Sequence, residues 1–110
     1  MSGAISFKEK GYWSAAGWVF RIVCDDVCKL IDDDRFGIKS ELEDEWVAVI
    51  EYVCAEDWSH EKLYFFGEML RLAYKKHEKL GPRDWNNRDM FPGFMNCYRE
   101  LIAEVQKAHS

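Results

Sequence analysis

WSHEKLYFFGEMLRLAYKKHEKL, residues 58–80, is the longest uninterrupted helical pattern in the chain. Its apolar side chains recur every three or four residues, and its charged side chains fall on the opposite face, as in an amphipathic helix. A second apolar strip lies beside the first and comprises Trp58, Phe65, Met69 and Leu72. Because this apolar surface is wider than one partner helix would cover, we expect the helix to be central, with neighbours on two sides.

Three further segments have helical periodicity and complete the predicted fold. The prediction is an all-α protein, a compact bundle of four main helices at roughly 14–32, 40–56, 58–80 and 92–108. Residues 1–12 are expected to form a short N-terminal tail, because no segment shows the alternation of a strand. A chain of 110 residues has room for one hydrophobic core. The prediction is therefore a single helical domain over residues 1–110.

The second predicted helix carries the clearest local signal. Ser40 followed by Glu43 has the spacing of a capping box, which marks the start of a helix. The apolar stripe that we expect this helix to bury comprises Leu42, Trp46, Val49, Ile50 and Val53.

The charge of the chain is uneven. Residues 1–57 contain six Lys and Arg against thirteen Asp and Glu, whereas residues 58–110 contain nine against seven. An acidic surface repels nucleic-acid phosphates and anionic lipids, so neither nucleic acid nor a membrane is an expected partner. No secretory signal and no apolar span of about 20 residues is apparent, and we expect a cytoplasmic protein.

The chain lacks the sequence signatures of catalysis and cofactor binding. No Ser or Cys has a base defined by a motif, and no glycine-rich phosphate loop occurs. The four cysteines, Cys24, Cys28, Cys54 and Cys97, border apolar stripes, where free Cys behaves as a small hydrophobic residue. We therefore predict a protein that is not an enzyme, with no catalytic residues, no metal and no cofactor. A metal-binding helical bundle that uses these cysteines is the least favoured alternative.

The first predicted helix places Trp18 and Ile22 on its charged side. Either the N-terminal tail or the loop around Trp85 covers this Trp, or it is exposed to a partner. Acidic clusters before and after residue 40 would surround such an apolar anchor, and this favours a basic partner. The predicted partner-binding residues are Trp18, Ile22, Asp25, Asp26, Lys29, Asp32, Asp33, Asp34, Glu41, Asp44 and Glu45.

These features favour a small acidic helical binding protein that occludes a basic protein partner. An immunity protein that neutralises a nuclease-type toxin, or an inhibitor of a nucleic-acid enzyme, has this size and charge. The alternative is a homodimer or an adaptor module without an inhibitory role, in which an apolar patch is self-complementary. The candidate patches for that alternative are Phe65, Met69 and Leu72, or Trp18 and Ile22.

Overall fold

In the computed structural model, which describes residues 2–109, a three-stranded mixed sheet packs with five α-helices. Helix accounts for 63% of the chain and strand for 12%, so the fold is α+β and the predicted all-α class is wrong. The elements are β1 (Ser2–Ser6), β2 (Tyr12–Ala16), α1 (Gly17–Leu30), α2 (Ile38–Leu42), α3 (Glu45–Ile50), β3 (Tyr52–Cys54), α4 (His60–Leu80) and α5 (Phe91–His109). A single 3₁₀ turn, Arg88–Met90, leads into α5.

The N-terminal segment that was predicted as a tail contains the central strand of the sheet. β1 pairs antiparallel with β2 and parallel with β3, which gives the strand order β2-β1-β3. The turn between β1 and β2 passes through Glu9 and Lys10, both with positive φ, as a tight hairpin requires. Gly3 allows β1 to approach α1, because a Cβ at this position would lie 2.3 Å from Cγ of Phe20.

The helix predicted at 40–56 does not exist as one element. The carboxylate of Asp34 accepts hydrogen bonds from the backbone N–H groups of Lys39 and Ser40, both at 2.9 Å. The hydroxyl of Ser40 also donates to Asp34, so α2 begins earlier than predicted and no capping box forms at Ser40. Asp44 then starts α3 by accepting a hydrogen bond from the N–H of Trp46 at 2.8 Å. Glu51 ends α3 in a left-handed conformation, with φ 53° and ψ 48°.

These breaks change which side chains are buried. Of the predicted stripe, Leu42 and Val53 are in the core, whereas Trp46, Val49 and Ile50 are exposed. A continuous helix would have kept the five on one face. The three short elements instead point α3 away from the core.

The core lies between the sheet and the three long helices. α4 packs against both α1 and α5, the two neighbours that its wide apolar surface requires. Its buried side chains include Leu63, Phe66 and Leu70, which belong to the same core as buried residues of α5 such as Phe94 and Tyr98. Within residues 2–109, none of the helices has the length and apolar character needed to cross a membrane.

Candidate partner-binding surface

The most exposed apolar surface on the acidic half of the chain is on α3. Trp46, Val49 and Ile50 are 67%, 68% and 40% exposed, and we call these three residues the α3 patch. α3 contributes no fully buried residue to the core. A single exposed apolar residue is ordinary, but an exposed Trp beside two exposed aliphatic residues is typical of an interaction site.

The C-terminal end of α3 is anchored, whereas its outer face is exposed. The side chain of Glu51 is only 4% exposed, and its carboxylate pairs with Nη1 of Arg21 at 2.9 Å. The same carboxylate lies against Gly17, the first residue of α1, where a Cβ would come within 2.8 Å of Oε2. A negative group is favourable at the positive end of the helix dipole. Glu51 therefore ties the end of α3 to the start of α1, and the α3 patch is presented in a defined orientation.

The segment that contains the α3 patch is acidic. Residues 40–61 contain eight Asp and Glu but neither Lys nor Arg. Glu41 is neutralised by Lys62, whose Nζ lies 2.7 Å away, and Glu51 is neutralised by Arg21. The other six are exposed: Glu43, Asp44, Glu45, Glu56, Asp57 and Glu61. Glu43, Asp44 and Glu45 lie at the start of α3, and we call these three residues the acidic rim.

Three of the aspartates and glutamates predicted to bind a partner are partly buried and make internal contacts. Oδ2 of Asp26 accepts hydrogen bonds from Nε2 of His77 at 2.7 Å and from the hydroxyl of Tyr98 at 2.8 Å. Glu41 accepts a hydrogen bond from Nε1 of Trp58 at 3.1 Å, in addition to its ion pair. Asp34 caps the start of α2. These three carboxylates hold elements together and are less accessible to a partner.

The other predicted charged residues lie at the surface. Asp25 pairs with Lys29 one helical turn away, at 2.8 Å, and Arg35 lies 3.8 Å from Asp33. The side chains of Asp32, Asp44 and Glu45 are also exposed. These residues remain available to a partner.

Trp18 and Ile22 are half-buried. The ring of Trp18 stacks on Phe94 and meets Trp85 edge to face, at centroid distances of 6.1 and 6.0 Å. The loop around Trp85 therefore covers part of Trp18, and the rest lines an open groove. The sequence left open whether Trp18 is covered or exposed, and in the structure it is partly covered and partly exposed.

The cysteines are free thiols, and two of them are strongly perturbed. Burial raises the pKa of Cys24 to about 12 and that of Cys28 to about 11, so both stay protonated at neutral pH. A protonated thiol is a poor nucleophile and a poor metal ligand. Among residues 2–109, no group of three or more His, Cys, Asp or Glu side chains is arranged to hold a metal ion.

Comparisons with protein-family models, with curated proteins and with solved structures found no match to this chain.

The α3 patch was missed because its residues fit a helical stripe. A signal against one long helix was present in the run WVAVIEYVC, residues 46–54. β-Branched and aromatic side chains lose rotamer freedom in a helix and are favoured in strands. This composition indicates that a helix here would be short and would give way to a strand.

Proposed function

We propose that this protein binds and occludes a basic protein partner, as an immunity protein or another small inhibitor does. The observation that carries the proposal is the α3 patch, an exposed Trp, Val and Ile next to the acidic rim. Of the residues predicted from the sequence, the proposed contact surface includes Asp44 and Glu45. Asp25, Asp32 and Asp33 add negative charge elsewhere in the same half of the chain.

The size of the apolar contribution suits a binding anchor. Burying the exposed part of Trp46, on the order of 150 Å², would contribute roughly 4 kcal/mol before the costs of association. Tryptophan is among the residues that most often dominate the binding free energy of an interface. Trp46 is therefore the side chain whose removal should weaken the complex most.

The acidic rim favours a basic partner over a second copy of the chain. In a symmetric dimer built on the α3 patch, each acidic rim would face its copy, and no Lys or Arg from residues 40–61 could compensate. A basic surface would instead pair with the carboxylates and accelerate association. Such a surface is found on proteins that bind nucleic acid, so occluding it would block their activity.

The test is capture from a lysate of the native host at about 0.1 M and about 0.5 M salt, where charge screening differs strongly. Two variants remove the features in question, Trp46→Ala and Glu45→Lys. Each has a matched control on α4: Tyr64→Ala removes another exposed aromatic ring, and Glu78→Lys changes the net charge by the same amount. Circular dichroism checks that all four variants remain folded.

The expected result is one basic protein that wild type and both controls retain at low salt. Trp46→Ala and Glu45→Lys should lose it, and the captured protein's nucleic-acid binding or cleavage should be blocked by wild type but not by Trp46→Ala. Equal capture by Trp46→Ala and Tyr64→Ala would contradict the proposed surface. A dimer that sedimentation equilibrium detects in wild type and not in Trp46→Ala would assign the α3 patch to self-association instead.

A further inference from the structure

A second surface feature lies where Trp18 and Ile22 of α1 face the loop before α5. Together with Asp84, Trp85 and Met90 these residues line an open groove of about 510 Å³, which we call the tryptophan groove. The rings of Trp18 and Trp85 are 6.0 Å apart between centroids and inclined at 73°. Two walls of the groove are therefore aromatic rings that stand nearly perpendicular to each other.

Both rings are held from behind by other aromatic side chains. Trp18 stacks on Phe94 with an interplanar angle of 20°, and Trp85 contacts Phe91 and Phe94 at 5.3 and 5.0 Å. Phe94 itself is only 1% exposed. The walls are thus supported by the core, and a ligand would not have to order them, which favours binding.

The charge in the tryptophan groove is negative. Asp84 is the one charged side chain among the described residues that line it. Arg83 and Arg88 are close in sequence, but neither contributes to the lining. The face of an aromatic ring is also electronegative, and Trp attracts cations more strongly than Phe or Tyr does. The groove therefore combines two aromatic walls with a carboxylate, the combination that attracts an organic cation.

The apolar lining of the groove favours an alkylated ammonium group. A primary ammonium carries three N–H donors that need acceptors when water is removed. The two indole rings, Ile22 and Met90 make up most of the lining residues, and none of these side chains is a strong acceptor for an N–H group. A quaternary ammonium has no N–H group to satisfy, and its methyl groups can pack against Ile22 and Met90.

We propose that the tryptophan groove is a binding site for a quaternary ammonium group. The cation lies against the rings of Trp18 and Trp85 and near the carboxylate of Asp84. This site is separate from the α3 patch, and the proposal does not depend on the function proposed above.

The test is a titration with choline, followed by the indole N–H signals in two-dimensional NMR spectra. The signals of Trp18 and Trp85 should shift, and that of Trp46 should not. The expected dissociation constant is on the order of 1 mM for an open site of this kind. The neutral isostere 3,3-dimethyl-1-butanol has the same shape without the charge and should bind at least ~10-fold more weakly.

Variants identify the groups responsible. Asp84→Asn, an exposed change that leaves the packing intact, should weaken choline binding about 3-fold, and Trp85→Leu about 10-fold or more. Trp46→Leu, which removes a tryptophan outside the groove, should leave it unchanged. Equal binding of the neutral isostere, or no saturation by choline at about 50 mM with wild type, would overturn the proposal. Unchanged binding by Asp84→Asn together with Trp85→Leu would do the same.

Discussion

Replacing Gly3 by Ala should destabilise the protein, because Gly3 is the point of closest approach between β1 and α1. A Cβ added there would lie 2.3 Å from Cγ and 2.4 Å from Cβ of Phe20. These atoms are at the base of the Phe20 side chain, which is 3% exposed, so they cannot rotate away. Relief requires that β1 and α1 move apart.

The size of the loss follows from two effects on the free energy of unfolding that have opposite signs. Overpacking a core by one methyl group costs about 1–3 kcal/mol, and an overlap of more than 1 Å lies at the upper end. Losing a Gly would by itself stabilise the protein by about 0.5 kcal/mol, because the unfolded chain has less freedom. We therefore expect the free energy of unfolding to fall by roughly 2–3 kcal/mol. For a chain of this size the Tm should fall by about 10 °C.

Gly93→Ala provides the matched control. Gly93 lies in α5, and a Cβ there would meet no atom within 4 Å. The same chemical change should therefore raise the free energy of unfolding by about 0.5 kcal/mol, since Ala is a better helix former than Gly. Urea denaturation followed by circular dichroism measures both variants.

The two variants should move in opposite directions. If Gly3→Ala is as stable as wild type or more stable, Phe20 does not pack on Gly3. The N-terminal segment would then be peripheral, as its sequence suggests, and the central position of β1 would be refuted.

Two adjacent aspartates should differ when unfolding is measured in urea. Asp26→Ala should lower the free energy of unfolding by roughly 3 kcal/mol, because His77 and the buried hydroxyl of Tyr98 lose their acceptor. Asp25→Ala, on the exposed face of α1, should change it little. Similar losses in both variants would contradict this role of Asp26. Alkaline pH should also destabilise the fold, because burial, followed by neighbouring negative groups, raises the pKa of both Cys24 and Tyr98. The protonated forms of these two side chains contribute fully to folding stability below their unfolded-state pKa values, about 8.5 for Cys and about 10 for Tyr. This stability is lost as the pH rises above those values. The double variant Cys24→Ala/Tyr98→Phe should lose less stability between about pH 9 and pH 11 than wild type, and an equal loss would assign the effect to other groups.

The long helices could be predicted from local patterns, although α1 begins at Gly17 and not at residue 14, because residues 14–16 pair with β1 as part of β2. α4 begins at His60 and ends at Leu80, within two residues of the predicted segment, and α5 extends one residue beyond its predicted segment at each end. Their apolar periodicity extends over several turns, which is enough to identify a helix and its buried face without knowledge of its neighbours. The acidic character of the first half of the chain follows from composition in the same way.

The sheet could not be predicted in this way. β1 lies about fifty residues from β3 in sequence, and Ile5 is opposite Val53 in the register. β1 contains Ser, Gly and Ala, which are not strong strand formers, and β3 has only three residues. What makes these segments strands is their hydrogen bonding to each other and the burial of Ile5 and Val53.

The candidate surfaces depended on tertiary structure for the same reason. Composition alone predicted an acidic half, and helical position made Trp18, not Trp46, the candidate anchor while leaving its exposure open. The backbone turn at Glu51 points α3 outward, and contacts from distant segments cover part of Trp18 and engage Asp26. Exposure depends on what packs against a side chain, and here the neighbours that decide it are distant in the sequence. The sequence by itself therefore determined the long helices and the sign of the charge, whereas tertiary packing decided which of the apolar and acidic residues remain available to bind.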